Sequence, residues 1–242
     1  MKQLVQHRVL LLGMRSLIWA LDPLRATPEG GVTVLCENEA DRSRLEAQMD
    51  LLEPEHRPEL LTGNLDALPE SQAFDWIGGR LAAADLQGQN WMALLETINQ
   101  HAEPTTGLRL LISRAELGPA GALLQHGDPT ELFSDLVAQE QQWLERQQRP
   151  LELFTNAGWQ LRCEEWLEHL TIPGGTELAE RWLAEGSPYR QAMGEISKEV
   201  MTQLRQSLND LGEVGLRLPM RHQLIQGKCS MPSKKTPKPG LK

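Results

Sequence analysis

Cysteine is scarce in this chain. Its 242 residues hold three, Cys36, Cys163 and Cys229, and none stands at metal-ligand spacing from another. His101, His126, His169 and His222 do not complete such a set either, which excludes a zinc module of the usual spacing. Few cysteines, two of them in or near apolar runs, fit a reducing, cytoplasmic compartment. Long apolar runs are missing too: none approaches 18 residues, so no membrane span is expected. The first seven residues lack the apolar stretch of a signal peptide. There is no Gly-x-x-x-x-Gly-Lys-Ser/Thr loop, so ATP hydrolysis by that route is not expected. Neither Ser113 nor Ser187 lies in a Gly-x-Ser-x-Gly elbow.

Basic residues are also in short supply. The formal charge is −9, and residues 228–242 hold five lysines and no acid, so the first 227 residues carry a net −14. Such a body is a poor duplex-binding surface, because the phosphate backbone rewards positive patches. Only the lysine tail, 228–242, offers a weak contact to nucleic acid or to an acidic partner, and its composition is equally that of an unstructured terminus. Tyrosine occurs once and phenylalanine three times, against seven tryptophans. Large rings with few hydroxyls serve packing, and Trp143, Trp159, Trp166 and Trp182 are expected to seat added helices on the core.

What is present is a regular alternation. Val9–Leu12 is four aliphatics in a row, the pattern of a strand buried on both faces. A short helix is expected over 16–24, its end weakened by Pro23. A second strand follows at Val32–Cys36, then a helix over 38–52 capped by Asn38 with Asp41 three residues on. Residues 60–61 read as a third strand, 74–77 as a fourth ending at Gly78-Gly79, 91–99 as a helix and 107–113 as a fifth strand. Short apolar β runs alternating with helices are a βαβ signature. The expected fold is therefore α/β, a doubly wound, mostly parallel sheet of seven strands in one domain, residues 1–227, with a core over 8–115. The C-terminal additions, 129–225, follow a linker or lid at 118–128. They comprise helices over 129–148, 150–158, 177–184 (capped by Thr176) and 196–211. Strands are expected over 159–163, 167–172 and 214–220.

Five marks, Val9–Gly13, Val32–Glu37, the run from Gly63 to Pro69, the run from Phe74 to Arg80 and 107–112, come in an order and spacing that resembles the class I S-adenosylmethionine-dependent methyltransferases. The resemblance implies a Rossmann-like methyltransferase fold and a cofactor site at the strand tips. Glu37 stands where the family's acid accepts hydrogen bonds from the ribose hydroxyls, and Gly13 where its glycine-rich turn begins. Asn64, or Asp66 two residues on, stands where the family has an acid against the adenine amine. Gly78, Gly79 and Arg80 lie where catalytic or substrate-facing residues follow the fourth strand, but the Asn/Asp-Pro-Pro-Tyr type motif is absent. The turn after Gly13 also departs from the pattern. Met14, Arg15, Ser16 and Leu17 carry side chains where the family has few, and Met14 and Leu17 are expected to fill the ligand's space.

The second half, with Leu170-Thr171-Ile172-Pro173-Gly174-Gly175, Arg181-Trp182-Leu183 and Ser187-Pro188-Tyr189, is similar to the methyltransferase-like domain that cyanobacterial proteins carry behind a RarA-type AAA+ ATPase, a replication-associated recombination factor. That resemblance implies an ATPase partner domain. Two functions stand at this point. One is an active methyltransferase of unknown acceptor, with Glu37 and Gly13 holding S-adenosylmethionine. The other is a non-catalytic interaction module with a degenerate cofactor loop that binds the cofactor weakly or not at all.

Overall fold

The computed structural model describes residues 6–36, 38–63, 68–69, 72–82, 89–127, 131–146 and 150–230. Seven strands form one sheet in the order β3-β2-β1-β4-β5-β7-β6. They are β1 Val9–Leu12, β2 Val32–Cys36, β3 Glu59–Thr62, β4 Phe74–Ala82, β5 Ala102–Ala115, β6 Trp159–Ile172 and β7 Leu216–Cys229. Pairing is parallel from β3 through β5, and only β7 runs against its neighbours. β1 pairs with β2 on one side and β4 on the other, and all four of its residues are buried. That is why it is spelled as an unbroken aliphatic run.

Helices cover both faces, as the alternation required. On one face, α1 (Leu21–Ala26) and α2 (Glu39–Met49) close over Val9, Leu11, Val32, Val34 and Cys36, with Leu45 of α2 at the centre. Asn38 caps α2, accepting from Asp41 N at 2.9 Å. On the other face α3 (Gln89–Gln100) sets Trp91, Leu94, Leu95 and Ile98 against Leu10, Leu12, Ile77, Leu108 and Leu110. Phe154 of α6 (Pro150–Asn156) and Trp159 join the same cluster. A third cluster lies beyond the sheet's end. There α4 (Pro119–Gln125), α5 (Ser134–Arg146), α7 (Thr176–Leu183), α8 (Pro188–Met193) and α9 (Lys198–Asp210) pack on Leu216 and Leu218 of β7.

Several sequence expectations need correction. The span 118–128 is no lid: it contains α4, whose Ala120, Ala122 and Leu123 are buried, with Pro119 at the helix start where its missing N–H costs nothing. The fourth strand does not end at Gly78-Gly79 but runs through them to Ala82. A Cβ on Gly79 would stand 3.0 Å from Leu12 O and 3.2 Å from Leu110 Cδ2, so the glycines admit large neighbours into the sheet. The two late strands expected at 159–163 and 167–172 are one continuous β6. The helix over 16–24 divides into a 3-10 turn, Leu17–Trp19, and α1, and Pro23 lies near the start of α1 rather than at its end. Thr176 is the first residue of α7, and Gly175 occupies the cap. β7 extends to Cys229, which is buried, so Lys228 and Cys229 belong to the sheet rather than the tail. Cys36 is likewise buried, and Cys163 half-buried. Trp143 and Trp159 are core residues as expected, whereas Trp166 is 42% exposed.

Candidate functional site

The chain passes from β1 to β2 on one side and, after β3, crosses to β4 on the other side of β1. The carboxyl ends of β1 and β4 therefore border the switch point at which open α/β sheets bind ligands. Gly13 closes β1 with φ +64°. A Cβ there would lie 2.3 Å from the Arg80 carbonyl oxygen, so the glycine lets the turn press on the backbone of β4. Met14 and Leu17 are buried in the cluster beneath α2 with Ala20, Val34 and Cys36. The Leu17 N–H, at the start of the 3-10 turn, donates to Gln48 Oε1 of α2 at 2.7 Å.

Trp19 is half exposed, and the Arg80 guanidinium carbon of β4 lies 5.1 Å from its ring centroid. A cation over an indole at a surface site contributes about 0.5–1 kcal/mol. It ties the end of β4 to the loop after β1. At the tip of β2, Gly63 N donates to Cys36 O at 3.1 Å, and Thr62 Oγ1 donates to Glu39 Oε2 at 3.2 Å. Burial pushes the Cys36 thiol up, with Asp41 adding to the effect, so this thiol stays protonated beside the crevice. Of the residues predicted to hold a cofactor, only Gly13 is described: Glu37, Asn64 and Asp66 lie outside the described residues. Gly78, Gly79 and Arg80 all sit within the sheet, and the Arg80 side chain lies against Trp19. Neither the role of Gln48 nor the Trp19–Arg80 contact had a sequence signal, since each joins segments far apart in the chain.

No family profile matches the sequence, and no curated protein matches it. Solved structures do match. A protein assigned as a sarcosine dimethylglycine methyltransferase from Galdieria sulphuraria aligns over 93% of this chain and 79% of its own, at 12% identity and TM-score 0.50. The YcgJ protein of Bacillus subtilis aligns over 94% of each chain at 15% identity and TM-score 0.52. A protein assigned as a methyltransferase from Bacillus halodurans aligns over 93% of each at 13% identity and TM-score 0.50. The fold is that of the class I methyltransferases. At 12–15% identity the likeness is one of fold, and a methyltransferase fold serves a reaction only where its site does.

Proposed function

We propose that this chain is a non-catalytic interaction module, one that keeps the methyltransferase fold without its cofactor chemistry and works beside an AAA+ ATPase of replication and recombination. The observation that supports the first part is the closure of the loop after β1 on the protein itself. Gly13 lies close against the Arg80 backbone. The Leu17 amide is bonded to Gln48. The Arg80 guanidinium lies over the Trp19 ring, 5.1 Å from its centroid. S-Adenosylmethionine needs close backbone approach and free donors in this loop, and the bonded Leu17 amide and the approach of Gly13 to β4 both count against it. The similarity of 170–189 to the ATPase-linked domain supports the second part.

Calorimetric titration with S-adenosylmethionine and S-adenosylhomocysteine tests the reading. The expected result is no binding tighter than about 10 μM, unchanged by Glu37→Ala. A tighter dissociation constant that Glu37→Ala abolishes restores the active methyltransferase.

A further inference from the structure

β6 closes one side of the sheet, and no described strand pairs with its outer edge. It is 14 residues long. Six successive residues in its middle, Glu164 to His169, are exposed, so neither face of that stretch is covered. Proteins blunt such edges with charge, bulges or short strands, because unpaired N–H and C=O groups template a further strand. Here the register of β6 on β7 is unbroken. The centre of the exposed stretch is Trp166 and Leu167, 42% and 49% exposed. Charge alone would guard the edge, and a guarded edge has no use for a tryptophan and a leucine at its midpoint.

Trp166 is also held in place. Its ring stacks on His222 of β7, centroids 5.3 Å apart and planes 27° from parallel. The buried His222 is fixed by a 2.9 Å hydrogen bond between its Nδ1 and Ser113 Oγ of β5. Glu168 Oε2 stands 3.4 Å from His222 Nε2. The column Ser113–His222–Trp166 crosses three strands and ends at the edge, so one face of the indole rests on histidine and the other looks past the sheet. A rigid aromatic with one open face is the usual anchor of an interface.

Side chains alternate along a strand. Glu164, Trp166 and Glu168 therefore lie on one face of β6, and Glu165, Leu167 and His169 on the other. A strand laid along this edge meets two carboxylates at one end, the Glu168 carboxylate and His169 at the other, and an apolar residue on each face between them. We propose that the β6 edge is a docking site for an extended basic segment of a partner protein, added as an eighth strand. Its pattern is two basic residues, two apolar residues and two basic residues. Main-chain hydrogen bonds would supply affinity, and the alternate side chains the selectivity. A second copy of this chain is a poor occupant, because two β6 edges bring their glutamates together, and like charges across strands repel. The inference stands whether or not the cofactor crevice is closed.

The probe is the peptide Thr-Lys-Lys-Val-Val-Lys-Lys-Thr, whose pattern reads alike in both directions, against the full chain. Binding at about 10–100 μM is expected, with amide exchange slowed at residues 164–169 and unchanged around Gly13. The triple variant Glu164→Lys, Glu165→Lys, Glu168→Lys reverses the exposed charges, gives up their contacts to Gln226, Gln223 and His222 of β7, and should weaken binding at least about tenfold. A control peptide with glutamate for lysine should not bind the unaltered chain. Binding that survives the triple reversal, protection that falls elsewhere, or no binding of the basic peptide would overturn the proposal. So would a dimer in sedimentation that Leu167→Lys disperses, which would assign the edge to a second copy.

Discussion

Gly118→Ala should lower the melting temperature by about 6–12 °C, the equivalent of about 3 kcal/mol in a chain of this size. The reason is a buried carboxylate. Glu140 of α5 is 1% exposed and receives three donors: Ala120 N at 2.9 Å, Gly121 N at 2.8 Å and the Tyr189 hydroxyl at 2.6 Å. It thereby joins α4, α5 and α8 at one point. Gly118 leaves room for it, since a Cβ there would lie 2.2 Å from Glu140 Cδ. Alanine must push the carboxylate off its donors, leaving two amides and a hydroxyl buried without partners.

Glu140→Gln keeps the shape and separates charge from packing. Its amide nitrogen would face the Gly121 N–H, donor against donor, for a loss of about 1–3 kcal/mol. Burial pushes the Glu140 carboxyl up, against the Tyr189 hydroxyl and the Gly121 and Ala120 amides, which pull it down. The carboxyl therefore binds its proton more tightly in the folded state than in the unfolded chain. That contribution is fully present below the unfolded value of about 4.3 and is lost as pH rises through the raised folded value. The advantage of the native protein over Glu140→Gln should accordingly be largest in acid and shrink toward neutral pH. Thermal melts of both proteins across that range read it directly, and an advantage that grows with pH would refute this account of the carboxyl.

The Glu140–Tyr189 contact was invisible in the sequence, where Tyr189 appeared only within Ser187-Pro188-Tyr189. The residues are 49 positions apart, and a lone buried glutamate has no periodicity of its own. What could be read was what packing repeats. β1 and β2 showed themselves because burial on both faces demands runs that are all or mostly apolar, unbroken in β1 and interrupted only by Thr33 in β2. β6 was divided in two for the opposite reason. At the sheet's edge Glu164–His169 are solvated on both faces, and a strand that faces water on both sides has no alternation to display. α4 lies where the sequence suggests a linker or lid, because Gly118, Pro119 and Gly121 are turn residues elsewhere. Here Pro119 starts the helix, and a Cβ on Gly121 would stand 3.3 Å from Glu140 Oε2. At the site, the sequence located the end of β1 and the loop that follows it. Met14 and Leu17, expected to keep a ligand out, are buried under α2 with Ala20, Val34 and Cys36. The sequence carried no sign of that destination, because Gly13 turns the chain onto that face and a sequence does not state where a turn points.

Gly13→Ala should be the most damaging single change near the switch point, costing about 3 kcal/mol or more and lowering the melting temperature by about 6–12 °C with no ligand present. Two effects combine. Gly13 has φ +64°, a region that costs an L-residue about 1–2 kcal/mol. Its Cβ would also meet the Arg80 carbonyl oxygen at 2.3 Å and Leu81 Cδ2 at 3.0 Å. The first of these is backbone, in a strand held by β1 on one side and β5 on the other, so relief requires moving the sheet rather than rotating a side chain. Gly31→Ala is the control. Gly31 has φ +94° but nothing within 4 Å of the added carbon, so it isolates the conformational cost and should fall near 1–2 kcal/mol. A glycine kept for a cofactor alone would show only that conformational cost in stability, with the rest of its effect in binding. Melts of Gly13→Ala and Gly31→Ala in plain buffer therefore decide what Gly13 serves. Equal losses would remove the close approach to β4 from the account and return Gly13 to the list of ligand-facing residues. A clearly larger loss at Gly13 assigns the glycine to the fold.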